Sequence, residues 1–161
     1  MKYLLSFLVV ASLLSCEEQN VQSSISRVSS PSKIETFKIT IEGNDALQYN
    51  VDEIVVAENQ LIQLTFKHTG VMPLSQMGHN WVLLKAGVDE EDFVMKAMRA
   101  PETNYIPESE KEKIIVHTKT IGGGDQDVIV FEAPKAGTYT YCCTFPSHYP
   151  MMKGKLIVIE N

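Results

Sequence analysis

From residue 34 onward the chain is a succession of short segments in which apolar and polar residues alternate, and that pattern allows little besides stacked β-sheets. Residues 37–41, 54–56, 61–66, 80–84, 114–116, 128–131, 138–143 and 155–159 each read as a strand. Turn residues such as Gly43, Asn44 and Asp45 separate them. Short strands divided by turns predict an all-β sandwich. One stretch breaks the period. Asp89, Glu90, Glu91 and Asp92 are acidic, and Phe93, Val94, Ala97 and Met98 follow at helical spacing. This predicts one short helix around residues 89–99, with Asp89 as its cap and Pro101 beyond its end. No internal repeat is present.

Two segments precede the strands. Residues 1–15 carry Lys2 and then an apolar run over residues 4–14, which has signal-peptide length and is too short to span a bilayer. The run ends in Leu13, Leu14, Ser15 and Cys16, which resembles a bacterial lipobox; Cys16 is then the lipidated N-terminus. Residues 16–33 are polar and serine-rich, and they read as a lipid-anchored tether reaching on the order of 20–25 Å as a coil. The folded domain is expected over residues 34–161. The formal charge of −6 carries no basic patch, which excludes nucleic acid as a partner.

The chemistry-bearing residues are few: four histidines (68, 79, 117, 148) and three cysteines (16, 142, 143). The last strand before the C-terminal loop ends at Cys143, His148 follows five residues later, and Met152 four after that. A thiolate, an imidazole and a thioether on one short loop are a soft ligand set. Soft donors select copper, and two His with one Cys and a weak axial Met form the type-1 geometry. One histidine is still missing from that set. Pro146 and Pro150 limit the loop's backbone freedom, which suits a site that rearranges little on gaining or losing an electron. No Ser/His/Asp set, Gly-rich phosphate loop or paired acid site stands out, and the remaining histidines are too few for a further three-histidine copper centre. The chain does not read as an enzyme.

Several blocks carry a family resemblance: residues 43–45 (GND), 77–83 (MGHNWVL), 117–122 (HTKTIG) and 143–148 (CTFPSH), with Met152, Lys153 and Gly154 after them. Over residues 36–160 the chain resembles the azurin branch of the cupredoxins. The resemblance implies an eight-stranded Greek-key β-sandwich with a short helical insertion. It implies one type-1 copper held by His79, Cys143 and His148, with Met152 and the Gly78 backbone carbonyl as weak axial contacts. Asn80 and Thr144 would tie the ligand segments together, with Phe145 beside them. Neither His68 nor His117 would bind the metal, and Trp81 would lie in the core. Cys142, a strand neighbour of Cys143, would point the other way as a small buried residue.

The function implied is single-electron transfer between redox proteins, such as c-type cytochromes or a copper/haem reductase, by a monomeric domain. The alternative is a copper carrier or buffer. Val71, Met72, Pro73, Pro146 and Met151 are expected to form an apolar docking rim around His148. The expected location is the bacterial cell envelope, facing the periplasm, with Glu17 after the anchor favouring the outer membrane. Three features depart from azurins. No cysteine pair is available for an N-terminal disulfide, Ser147 stands where glycine is common, and Tyr149 and Pro150 replace smaller residues.

Overall fold

The computed structural model describes residues 35–161. The expected signal segment, the Cys16 anchor and the tether lie outside the described residues. Every expected strand is present: β1 (Phe37–Asn44), β3 (Glu53–Ala57), β4 (Leu61–His68), β5 (Val82–Leu84), β6 (Ile114–His117), β7 (Gln126–Glu132), β8 (Gly137–Cys142) and β9 (Lys153–Ile159). A two-residue strand, β2 (Gln48–Tyr49), joins them. The strands form two sheets, ordered β2-β1-β4-β7 and β3-β9-β8-β5-β6. β1 lies parallel to β4 and β3 lies parallel to β9, while the other pairs are antiparallel.

Alternation dictates which side chains meet between the sheets. In β4, Ile62, Leu64, Phe66 and His68 are buried while their neighbours are partly exposed. β3 contributes Ile54 and Val56 and β9 contributes Leu156 and Val158 in the same way. Trp81 and Tyr141 fill the centre, with ring centroids 5.2 Å apart. The Trp81 indole N–H is buried without an acceptor, so this ring is held by packing rather than by a polar contact. Full burial of one such large apolar side chain contributes roughly 1.5–3 kcal/mol.

β5 and β8 are buried on both faces because a helix covers the outer one. The helix α2 (Glu90–Ala97) is capped by Asp89, whose side chain accepts the Asp92 N–H at 3.0 Å. Its Phe93, Val94 and Ala97 pack on Val82, Leu84 and Cys142 in a second core. The expected single helix is therefore present, and three further turns accompany it: α1 (Leu74–Met77) and 3₁₀ turns at Pro101–Thr103 and Glu108–Lys113. These escape periodicity because three to six residues are too few to show a face. Among the described residues no helix is long and apolar enough to cross a membrane.

Candidate metal centre

Strand pairing brings the ligand segments together. β5 lies beside β8, with Val82 opposite Cys142. His79 precedes β5 and Cys143 follows β8, so both arrive at the same end of the sandwich. The His79 backbone is pinned to Ile121 by two hydrogen bonds of 3.0 and 2.8 Å. The loop after Cys143 closes on itself: the His148 carbonyl accepts from Met151 and Met152 N–H, and Cys143 N–H donates to the Met152 carbonyl at 3.0 Å. This turn carries His148 back over Cys143.

The result is a buried cluster of His79, Cys143 and His148, whose donor atoms all lie within 4.8 Å of one another. The two Nδ1 atoms are 3.1 Å apart, and Cys143 Sγ is 3.6 Å from His148 Nδ1. His79 Nε2 is 3.0 Å from the Asn44 carbonyl oxygen. A carbonyl only accepts, so Nε2 carries the proton and Nδ1 offers a lone pair. Backbone N–H groups of Asn80 and Phe145 donate to the Cys143 sulfur. Two imidazole nitrogens and a sulfur converge here on one buried point.

Met152 is fully buried and packs with Cys143 and Phe145. A Cβ on Gly43 would lie 3.2 Å from His79 Cδ2 and 3.3 Å from Met152 Cε, so the methionine tip and the histidine ring meet over Gly43. Gly78 has a further steric reason to be glycine. A Cβ there would come within 2.7 Å of the Phe145 ring and 2.9 Å of the Leu74 carbonyl oxygen. Asn80 links residue 80 to residue 144: its Nδ2 donates to Thr144 Oγ1 at 2.7 Å, and its Oδ1 accepts the Thr144 N–H at 2.9 Å.

Burial sets the electrostatics. Desolvation, with repulsion from His68 and His148, lowers His79 to about 4, and desolvation, with repulsion from His68, lowers His148 to about 4. Both rings therefore stand ready as neutral ligands. Burial pushes the Cys143 thiol up to about 11, against the pull of its two N–H donors. Such a thiol ionises when a cation sits beside it.

His68 is buried and stacks on His79 at 4.3 Å, with Nε2 2.8 Å from the Met77 carbonyl and Nδ1 accepting from Gly70 N–H. Both of its nitrogens are engaged, so it backs the His79 ring. His117 is exposed, outside the cluster. Cys142 faces the second core, away from Cys143. Val71, Pro73 and Met151 are exposed, while Met72 and Pro146 are half-buried. Leu74, 42 % exposed, belongs to the same surface and was not expected there. The Asn44 carbonyl was also missed, because a backbone acceptor leaves no mark in a side-chain motif.

Residues 35–159 match the family model for copper binding proteins of the plastocyanin/azurin family. The chain belongs to this family. Its cofactor is copper, one per chain, and His79, Cys143 and His148 supply the ligand cluster. Azurin of Achromobacter denitrificans is 38 % identical over 136 residues, covering 82 % of this chain and 91 % of its own. Outer membrane protein H.8 of Neisseria gonorrhoeae is 36 % identical over 125 residues, covering 75 % and 67 %. Among solved structures, auracyanin A, a "blue" copper protein of Chloroflexus aurantiacus, matches with a TM-score of 0.70 and 32 % identity, over 78 % of this chain and all of that one. The cupredoxin sandwich expected from the sequence is thus the fold observed.

The two lowered histidines give a pH dependence. The unfolded rings take up protons near 6.5, whereas the folded ones wait until about 4. Stability of the copper-free protein is therefore complete above 6.5 and falls as pH drops towards 4. The difference amounts to roughly 3 kcal/mol for each ring at the bottom of that window. Urea titrations of the copper-free protein at pH 7 and pH 4 check this; an unchanged midpoint would refute it.

Proposed function

We propose that this protein carries single electrons between redox partners of the bacterial cell envelope, and that Met152 sulfur and the Gly78 carbonyl would help His79, Cys143 and His148 to hold the copper. Bound copper supplies the one-electron step by cycling between Cu(I) and Cu(II). The observation that carries the reading is that the ligands are buried and held in place by hydrogen bonds from the protein. His79 is held by Asn44 and Ile121, and Cys143 by the Asn80 and Phe145 N–H groups. A site fixed in this way changes little when its charge changes, which favours electron exchange over substrate binding.

His148 keeps 4 % of its surface open, and it is the ligand through which an electron leaves. Val71, Met72, Pro73, Leu74, Pro146 and Met151 form the apolar rim that a partner covers in a brief encounter. Redox proteins such as c-type cytochromes suit it. Lipidation of Cys16 and the tether over residues 17–33 would hold the domain at a membrane. The likeness to an outer membrane protein of Neisseria supports that placement.

The test mixes the copper-loaded protein with a reduced c-type cytochrome under stopped flow. Cytochrome oxidation should coincide with loss of a blue band, and a mild chelator should remove copper far more slowly. Fast copper loss from the folded protein with no electron exchange would instead favour the copper carrier.

A further inference from the structure

We propose that helix α2 positions His148, through the two residues that flank it in the chain. Ser147 adopts φ +70°, a left-handed conformation that a residue with a Cβ occupies only when its surroundings hold it there. Its N–H donates to Met98 Sδ at 3.3 Å, just past the end of α2. On the other side, the Tyr149 hydroxyl donates to Glu90 Oε2 at 2.6 Å, at the start of the same helix. The ligand thus hangs between two contacts to opposite ends of one element.

Packing alone does not hold the loop against that helix. Tyr149 packs on the edge of the second core, but beside it a groove of about 410 Å³ runs between loop and helix, lined by Val94, Met95, Met98, Ser147, Tyr149 and Pro150. The two hydrogen bonds bridge its walls. The helix itself is firmly seated. Phe93, Val94 and Ala97 are buried in the second core. Lys96 and Lys113 pair with Asp92 and Glu110, joining α2 to the turn at Glu108–Lys113. Glu90 also accepts from Thr140 and Lys155, which ties its carboxylate to β8 and β9. Lys153 Nζ sits 4.5 Å over the Tyr149 ring and steadies it from the far side.

Met98 and Tyr149 are therefore positioning residues for the metal site. This rests on the electron-carrier reading only for its consequence, because both contacts are made between protein atoms. The test uses Met98→Leu, which keeps volume and removes the sulfur acceptor, and Tyr149→Phe, which removes the hydroxyl. In the copper-free protein, Ser147 amide hydrogen exchange should speed up about fivefold in Met98→Leu, the factor expected for one ordinary hydrogen bond. In the copper-loaded protein each variant should release copper to a chelator about fivefold faster, and the double variant more than either. The Cu(II) electron paramagnetic resonance lines should broaden as His148 samples more orientations. Ser147→Gly in the Met98→Leu background should restore slow release, because glycine accepts the positive φ without help.

Met95→Leu, on the same helix and groove but without a hydrogen bond to the loop, should leave all readouts as they are. A folded double variant with unchanged exchange, release and spectrum overturns the proposal, as does an equal change in Met95→Leu. If the double variant does not fold, Tyr149→Phe alone decides by the same readouts. A wild-type protein that is not blue overturns the electron-carrier reading, while Ser147 exchange still decides the role of Met98.

Discussion

Replacing Cys143 with serine should abolish the blue colour of the Cu(II)-loaded protein, and Cys142→Ser should keep it. The intense band of such a site arises from thiolate-to-copper charge transfer, and only Cys143 faces His79 and His148. A serine hydroxyl stays protonated where the thiol ionises, so affinity should fall as well, by more than about 100-fold, beyond the usual effect of a supporting residue. Cys142→Ser acts on stability instead. Its side chain is fully buried against Val82, Leu84, Phe93 and Val94. A hydroxyl placed there without a partner costs roughly 1–3 kcal/mol. Visible absorption of both loaded variants, with urea titrations alongside, separates the two roles. A blue Cys143→Ser protein would overturn the assignment.

Asn80→Ala should produce the second large effect. Asn80 spans the two ligand segments, donating to Thr144 Oγ1 and Thr120 Oγ1 while accepting the Thr144 N–H. All three residues are buried, so water cannot replace what is lost. Three net hydrogen bonds of about 1 kcal/mol each, plus the orphaned Thr144 N–H, suggest a loss of roughly 3–5 kcal/mol. The Asn80 N–H would remain as a donor to Cys143, so the protein should still turn blue when loaded. It should release copper faster, since nothing else joins residue 80 to residue 144. Chemical denaturation and chelator kinetics test this; a stability loss below 1 kcal/mol would show that the knot contributes little.

These two outcomes mark what can be read before folding and what cannot. Cys143, His148 and Met152 are legible as a set because they share one loop, and the spacing alone selects donors that can meet. His79 is not legible that way. It lies 64 residues before Cys143, and no spacing rule separates it from His68 or His117. Family resemblance pointed to it, and the pairing of β5 with β8 supplies the physical cause. The strands were legible because burial on one face imposes a period of two. The double burial of β5 and β8 depends on α2 landing across them, and that landing is a tertiary event. It also decides the surroundings of Cys142.

Ser147 shows the same division within the copper loop. Its identity stood out in the sequence as a departure from glycine, but its φ of +70° and the Met98 sulfur that receives its N–H belong to the folded state. Local order and alternation determined the sandwich class, the helix over Glu90–Ala97 and the soft donor loop. Tertiary structure alone decided the second histidine's approach, the Asn44 carbonyl behind it, and the brace from α2. Contacts between residues far apart in the chain arise only when burial of the two cores brings their segments together, and no local pattern records them.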